Sequence, residues 1–259
     1  MGDDRSLRYS RHELLRTVGK RGQDSIRRGM AVVVGLGGLG GTAAVLLARA
    51  GVGSLRLVDP DRVDWSNMQR QALYDEEDAE QGRCKAEAAA RRLKAINSEV
   101  TYELVPEALS PANAEAIVQG ANVVVDCLDN FRSRAVLNQA CVKSGVPLVH
   151  GACVATHGTV TTILPGKTAC YECIVPDAAT RTAVHTSSTV GVFAPAVFAI
   201  SSIQAAEALK ILSGDEESTL KGKMMWLDVW AGEVTTFSVP RNPDCPVCGR
   251  RRFPLLTGT

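Results

Sequence analysis

A run of glycines after a short apolar segment constrains this chain more than any other feature. Residues 31–44 read AVVVGLGGLGGTAA, in which apolar residues lead into Gly35, Gly37, Gly38 and Gly40. The pattern is typical of a strand, a tight turn and the start of a helix. Glycines let a phosphate approach the backbone, and a helix N-terminus offers free N–H groups and a positive dipole end. The stretch therefore predicts a nucleotide site, which could hold either a redox dinucleotide or ATP.

Strand-like and helical patterns alternate over the first 150 residues. This alternation predicts parallel βαβ units and hence an α/β, Rossmann-like, doubly wound, mostly parallel sheet. The strand-like runs are 31–35, 54–58, 121–126 and 146–150, with a weaker run at 100–105, and the helical patterns are 38–50, 83–96, 111–119 and 131–144.

The pattern changes at both ends of this core. Residues 8–29 predict a basic helical segment that Gly29 ends. After residue 157 come a strand (GTVTTILP), an irregular segment at 165–190, a helix at about 192–212, and two late strands, KMMWLDV and EVTTFSV, joined near Gly232.

We find no clear linker and interpret the chain as one domain. Residues 1–30 form a helical arm and residues 31–164 a nucleotide-binding core. Residues 165–259 form a carboxyl-terminal part with a crossover loop, the long helix, the late strands and a cysteine knuckle.

Charge and hydropathy exclude several classes of protein. The net charge of +1 argues against a nucleic acid as the main partner. The amino terminus has no apolar signal core, so we expect a cytoplasmic protein. Gln204, Glu207 and Lys210 interrupt the apolar run at 190–212, which favours a buried helix over a membrane span.

An aspartate follows the second predicted strand. Asp59 ends LRLVD, 19 residues after Gly40. A doubly wound fold places at this position the acid that accepts the ribose hydroxyls of a nucleotide. The alternative is a surface aspartate after a tight turn. The glycines and Asp59 together favour nucleotide binding but do not choose between NAD and ATP.

Charged and amide side chains beyond Asp59 favour ATP. Displacing pyrophosphate needs cations on the phosphates and an acid to hold magnesium, whereas hydride transfer needs little positive charge. Taken singly, Arg70 or Lys85 would usually be a solvated residue and Asp129 a helix cap. Together, at the carboxyl ends of predicted strands, they indicate an ATP site. The set is Asn67, Arg70 and Gln71 in DPDRVDWSNMQRQ, Lys85 in GRCKAE, and Asp126, Asp129 and Asn130 in VVVDCLDN.

Two C-x-x-C pairs predict a metal site. Cys170 and Cys173 form one pair, and Cys245 and Cys248 the other. Four thiolates make a closed tetrahedral site, so the expected metal is a structural Zn²⁺ ion. Two redox dithiols are the alternative. The other cysteines, which lack metal spacing, are Cys84, Cys127, Cys141 and Cys153. The last three lie in apolar runs or helices and are expected to fill the core.

The order of these motifs resembles the MoeB/ThiF family, bacterial relatives of ubiquitin-activating enzymes. The resemblance runs over roughly residues 8–250 and rests on RYSRH, GLGGLG, LVDPDRVDWSNMQRQ, GRCKAEAA, DCLDN, CYEC and NPDCPVCG. It implies an ATP-dependent adenylyltransferase that activates the carboxyl-terminal glycine of a ubiquitin-like sulfur carrier and releases pyrophosphate. It further implies a homodimer with composite sites, a carrier ending in Gly-Gly, and an external sulfur donor.

The resemblance also implies roles for individual residues. Asp129 is the acid linked to Mg²⁺, and Arg11 of RYSRH reaches the ATP of the partner subunit. Without the resemblance, we would interpret Arg11 as a solvated helix residue. The catalytic residues so implied are Arg11, Arg70, Lys85 and Asp129, and the nucleotide-binding residues are Gly35, Gly37, Gly38, Gly40, Asp59, Asp61, Ser66, Asn67, Arg70, Lys85, Asp129 and Asn130.

Two departures from the family pattern bear on the later chemistry. Leu128 stands where the family commonly has threonine, which removes a hydroxyl and keeps the acid. Ser187 stands four residues before Gly191, where many members carry a cysteine. We therefore expect adenylation without a covalent enzyme–carrier intermediate. Other hypotheses are adenylation of a peptide in natural-product biosynthesis, an NAD-dependent dehydrogenase, and a non-catalytic carrier-binding scaffold.

Overall fold

The computed structural model describes residues 7–182 and 189–257. Its centre is a sheet of eight strands in the order β3-β2-β1-β4-β5-β6-β7-β8. Strands β1 to β5 pair in parallel, and β6, β7 and β8 are added antiparallel at one edge. The strands are β1 Met30–Val34, β2 Ser54–Val58, β3 Thr101–Val105, β4 Val123–Asp126, β5 Leu148–Val154, β6 His157–Ile163, β7 Lys223–Asp228 and β8 Glu233–Ser238.

Helices cover both faces of the sheet. In the described part of the chain they are α1 Ser10–Glu13, α2 Gly19–Arg28, α3 Gly38–Ala50, α4 Glu76–Glu80, α5 Lys85–Ile96, α6 Ala114–Val118, α7 Phe131–Ser144, α8 Tyr171–Ile174, α9 Ala194–Ser213 and α10 Pro254–Thr257. Helices α2, α3, α5 and α9 contribute to one apolar core, and α6, α7 and α8 to the other.

The sequence of β1 shows why it lies at the centre. Val33 points into one core and Val32 and Val34 into the other, and all three side chains are buried. A strand covered on both faces needs a continuous apolar run rather than alternation, which is what AVVV supplies. The strand order reverses between β1 and β4, and ligands of doubly wound sheets bind at such a switch point.

The long helix α9 is part of this interior. Its length and composition would allow it to span a membrane, but half of it is buried against the rest of the protein. Gln204 and Glu207 on it are buried and bonded: Gln204 Nε2 donates to the Asp126 carbonyl at 2.8 Å, and Glu207 accepts from the Leu220 amide at 2.6 Å. Buried polar groups with protein partners fit a core helix.

The fold prediction is confirmed, and several boundaries differ from it. The segment predicted as helical at 8–29 is two helices, α1 and α2, separated by residues 14–18. Gly19 has φ +59°, and a right-handed helix needs negative φ, so the helical run breaks there. Gly29 does end α2. The sequence patterns missed the short helices α4, α8 and α10, because segments of four or five residues carry no usable periodicity.

Candidate active site

The glycine turn joins β1 to α3, as predicted. Gly35 has φ +88°, and a Cβ there would lie 2.7 Å from the Cys127 carbonyl oxygen. A Cβ at Gly40 would lie 1.7 Å from the Gly35 carbonyl oxygen. These two glycines are therefore required by the packing of the turn itself.

Gly37 differs, because no atom of residues 7–182 or 189–257 forbids a side chain there. The nearest atom to a Cβ at Gly37 would be Gln71 Nε2, at 3.7 Å. Gly37 directly precedes α3, and no side chain caps that helix. The free N–H groups of the α3 N-terminus and the space over Gly37 form a cradle that fits a phosphate.

Gln71 faces this cradle with an unpaired atom. Its side chain is 4% exposed, and its Oε1 has no hydrogen-bond partner within residues 7–182 and 189–257. A buried acceptor without a partner costs about 1–3 kcal/mol, so a bound ligand that donates to it would relieve this cost. Gln71 belongs to the strand-end set that indicates an ATP site, but the family resemblance gives it no role of its own.

Asp59 supports the turn from the end of β2. Its Oδ2 accepts from the Leu36 amide at 2.6 Å and its Oδ1 from the Asp61 amide at 2.8 Å. Burial raises the pKa of Asp59, whereas these hydrogen bonds and the Lys85 charge act in the opposite direction. Asp59 therefore fixes the glycine turn. Ribose binding by the same carboxylate stays a prediction.

Lys85 is not a solvated lysine. Its side chain is 6% exposed, at the first residue of α5, and its Nζ lies 3.0 Å from Asp61 Oδ2. The Lys85 amide also donates to the Asp61 carbonyl at 2.9 Å. The pair brings a buried cation and a more exposed carboxylate next to Asp59.

The segment around Arg70 lies against the start of α3. Asp64 caps the short 3-10 turn Trp65–Asn67, and Arg70 Nη1 donates to the Ser66 carbonyl at 2.8 Å. A Cβ at Gly38 would lie 3.2 Å from the Arg70 carbonyl oxygen. The structure thus brings Ser66, Asn67 and Arg70 to the glycine turn.

The acid loop, residues 127–130, borders the turn from the other side. A Cβ at Gly35 would lie 3.4 Å from the Leu128 amide nitrogen, and Asp129 follows one residue later. Asn130, not Asp129, caps α7, since Asn130 Oδ1 accepts from the Ser133 amide at 2.9 Å. Asp129 is exposed and is left available to a ligand.

The structure does not bring Arg11 to this site. Arg11 is exposed on α1, and the neighbouring Tyr9 packs against Gly51 at the far end of α3. A helix of 13 residues is about 20 Å long, so the glycine turn lies at the opposite end of α3 from Arg11.

The four predicted metal ligands form one cluster. The Sγ atoms of Cys170 and Cys245 are 3.8 Å apart, those of Cys173 and Cys248 are 3.4 Å apart, and all four lie within 4.8 Å of one another. Zn–S bonds of about 2.3 Å place tetrahedral sulfur atoms about 3.8 Å apart, so the cluster fits a zinc ion.

Three of the remaining cysteines lie in apolar surroundings. Burial raises the pKa of Cys127 and Cys141, and raises the pKa of Cys153 to about 12. A thiol in such surroundings is a poor nucleophile near neutral pH. Ser187 and His185, which bear on a covalent step, lie outside the described residues.

Comparison with known proteins agrees with this geometry. The ThiF family matches residues 9–247. The sulfur carrier protein ThiS adenylyltransferase of Bacillus subtilis is 39% identical over 96% of this chain and 74% of its own length. The molybdopterin-synthase adenylyltransferase of Escherichia coli is 37% identical over 96% and 99%, respectively.

A solved structure shares the fold. E. coli MccB in complex with MccA-N7isoAsn superimposes with a TM-score of 0.82 at 25% identity, covering 96% of this chain and 76% of MccB. The predicted fold and the predicted class of adenylyltransferase are both confirmed by these likenesses. The chain belongs to the ThiF family.

Proposed function

We propose that this protein uses ATP to adenylate the carboxyl-terminal glycine of a ubiquitin-like sulfur carrier ending in Gly-Gly. The relatives named as adenylyltransferases of ThiS and of molybdopterin synthase support this activity. The observation that carries it is the open phosphate cradle at the α3 N-terminus, over Gly37. The product is an acyl adenylate, which passes to later sulfur transfer.

The reaction is one displacement at phosphorus. A carrier carboxylate oxygen forms a bond to the ATP α-phosphorus while the bond to the departing pyrophosphate breaks. Negative charge builds up on both phosphate groups. Arg70, Lys85 and the α3 amides would stabilise that charge, because fixed donors and cations at a reacting phosphate lower the barrier. Asp129 and the neighbouring Asn130 would hold Mg²⁺, which when bound supplies further neutralisation.

A second copy of the chain completes the site in this proposal. Arg11 lies about 20 Å from its own glycine turn, the length of α3, so it would act on the ATP of a partner. Leu7, Leu14 and Leu15 near it are exposed, with Leu14 at 73%. Exposed leucines around a catalytic arginine support a homodimer interface at the arm.

The cysteine cluster would hold Zn²⁺ as a structural ion. The four thiolates leave no open position for a substrate, so the ion would tie residues 170–173 to residues 245–248.

We place the enzyme in the cytoplasm, with sulfur supplied by an external donor, and without a nucleic-acid or membrane partner.

A peptide substrate is the second candidate, and one observation favours it. The E. coli MccB structure with a TM-score of 0.82 contains MccA-N7isoAsn. A second structure of MccB contains ATP; it matches with a TM-score of 0.80 at 26% identity and covers 93% of this chain and 74% of MccB. The two adenylyltransferases named above match this chain at 39% and 37% identity, however, and they support the carrier.

ATP–pyrophosphate exchange separates the two candidates. The assay compares a carrier ending in Gly-Gly, the same carrier without its last glycine, and short peptides with free carboxylates. We expect exchange with the intact carrier alone, and an acyl adenylate visible by mass spectrometry. Exchange that depends on a peptide and not on the carrier would favour the second candidate, and none with any substrate would contradict both.

A further inference from the structure

We propose that His150 is a positioning residue that acts through Asp126 to fix the acid loop and so to place Asp129. Asp126 belongs to the strand-end set that indicates the ATP site, His150 does not, and the inference rests on the proposed function. Asp126 ends β4 and His150 lies on β5, so the two face each other across neighbouring parallel strands.

Asp126 uses both carboxylate oxygens inside the protein. Its Oδ1 accepts from the Leu128 amide at 3.1 Å, and its Oδ2 lies 2.7 Å from His150 Nδ1. An ionised carboxylate only accepts hydrogen bonds, and in the proposed arrangement Nδ1 therefore donates to Asp126. Asp126 is 1% exposed and His150 is 3% exposed, so water does not compete for either contact.

The imidazole is held on its other side by an aromatic ring. The ring centroids of His150 and Tyr171 are 4.9 Å apart, and the rings are tilted by 56°. Tyr171 is 2% exposed, and its amide donates to Asn138 Oδ1 at 2.9 Å. A tyrosine fixed in this way restricts the rotation of the imidazole and keeps Nδ1 directed at Asp126.

The acid loop depends on a small number of such contacts. The Leu128 amide is held by Asp126, and the Leu128 carbonyl accepts from Arg134 Nη2 at 2.5 Å. Asp129 itself is exposed, and the contact from Asn130 Nδ2, at 3.3 Å, comes from its neighbour in sequence. The Asp129 backbone is therefore held between the bonded Leu128 on one side and the Asn130 cap of α7 on the other.

The pair thus acts on catalysis without touching substrate. Without the Nδ1 donor, Asp126 loses the partner that orients it, and the Leu128 amide loses a fixed acceptor. A displacement of about 1 Å at a catalytic group costs up to about a hundredfold in rate. We expect the loss in kcat to exceed any change in KM for the carrier, because the carrier does not contact His150.

The experiment compares hydrogen–deuterium exchange and ATP–pyrophosphate exchange in four variants of the full chain. His150→Leu and His150→Phe both remove the donor, and the second keeps a ring against Tyr171. His150→Asn returns an N–H close to the position of Nδ1. Thr161→Val is the matched control, since Thr161 pairs with His150 across the sheet and is 3% exposed, but bonds the Lys223 carbonyl instead.

We expect severalfold faster deuterium uptake in residues 127–133 and a kcat about tenfold lower in the two variants that lack the donor. His150→Asn should recover most of both, and Thr161→Val should change neither. If uptake of the acid loop in His150→Phe or His150→Leu matches that in Thr161→Val, the proposal is wrong. Absent pyrophosphate exchange in the unaltered protein would contradict the proposed function alone, because deuterium uptake still reports the loop.

Discussion

The glycine turn, Gln71, Lys85 and the acid loop together form what we call the nucleotide edge. The nucleotide edge and the cysteine cluster are both built from widely separated segments, but they differ in how far their polar groups find partners within the protein. At the nucleotide edge, Gln71 Oε1 has no partner in the described chain, Asp129 is exposed, and α3 begins without a side-chain cap. In the cysteine cluster the four sulfur atoms face one another within 4.8 Å, and three of the four residues are buried. The first arrangement is open to an exchanging ligand, and the second could hold a permanently bound metal ion.

This difference separates the roles of the two regions. Polar groups left over after folding carry a cost unless a ligand binds them, and such groups mark sites of function. Thiolates arranged in a closed tetrahedron couple metal binding to folding. We therefore expect changes at the nucleotide edge to alter activity with little loss of stability, and changes in the cysteine cluster to do the reverse.

The largest effect is expected from Cys245→Ser, which removes one of four metal ligands. The purified protein should hold one zinc per subunit, and the variant should hold less. Loss of a structural metal removes several kcal/mol, and about 1 kcal/mol shifts Tm by about 2–4 °C in a domain of this size, so Tm should fall by about 10 °C. Elemental analysis and calorimetry measure both. No zinc in protein purified without chelators would exclude the site.

Arg70→Ala and Asp129→Ala should strongly lower activity and leave thermal stability almost unchanged, the reverse of Cys245→Ser. In the proposed function each supplies a charge at the reacting phosphates, and losing such a charge typically costs a hundredfold or more in rate. Asp129 is exposed and Arg70 is half-buried, so Tm should change by only a few degrees. Pyrophosphate exchange and a thermal melt measure the two quantities. Glu115→Ala, which removes an exposed carboxylate paired with Lys143, is the matched control and should keep full activity.

The sequence could predict the local patterns in both regions, but not the contacts between distant segments. The glycine turn and the two C-x-x-C pairs were predictable, because each is a local pattern with a steric or chemical reason: Gly40 has no room for a Cβ, and the four thiolates match zinc. The break at Gly19 and the contacts of Gln71 were not predictable. They depend on which segments meet in space, and a sequence pattern records only neighbours along the chain.

Asp126 illustrates this limit further. The strand-end pattern placed it beside Asp129, and only the family resemblance singled out Asp129 as the acid linked to Mg²⁺. In the structure, Asp126 is 1% exposed and bonded to His150, whereas Asp129 is exposed. Burial and partner choice decide which acid is structural, and both arise from the pairing of β4 with β5.

Gly37→Ala tests whether the open space over Gly37 is where the ATP phosphates bind. A methyl group there meets no protein atom closer than 3.7 Å, so the fold should tolerate it. The same methyl group would occupy the phosphate cradle, and we expect KM for ATP to rise about tenfold, equivalent to about 1.4 kcal/mol of binding. Gly40→Ala is the contrasting variant, since its Cβ would overlap the Gly35 carbonyl and lower Tm. Unchanged ATP affinity in Gly37→Ala would place the phosphates elsewhere.

Mixing two inactive variants tests whether the nucleotide edge is completed by a second copy. Arg11→Ala and Asp129→Ala protomers should each be inactive alone. After subunit exchange, about half of the dimers are mixed, and each mixed dimer has one intact site. Activity should therefore recover to about a quarter of the original level. Failure to recover, with exchange verified by native mass spectrometry, would restrict Arg11 to its own chain.

The last prediction is that the enzyme forms no covalent adduct with the carrier during turnover, so its mass should not change. A thiolate attacks an acyl adenylate far better than a neutral hydroxyl. Burial raises the pKa of Cys127, Cys141 and Cys153, and four further cysteines face one another in the metal cluster. Intact-mass spectrometry under non-reducing conditions, with enzyme, carrier and ATP together, should show the enzyme unmodified. A carrier adduct that disappears in Cys84→Ala would reveal a nucleophile at the start of α5, and one that disappears in Ser187→Ala would assign that role to the serine. Without an adduct, the nucleotide edge performs adenylation alone, and the adenylate passes directly to the external sulfur donor.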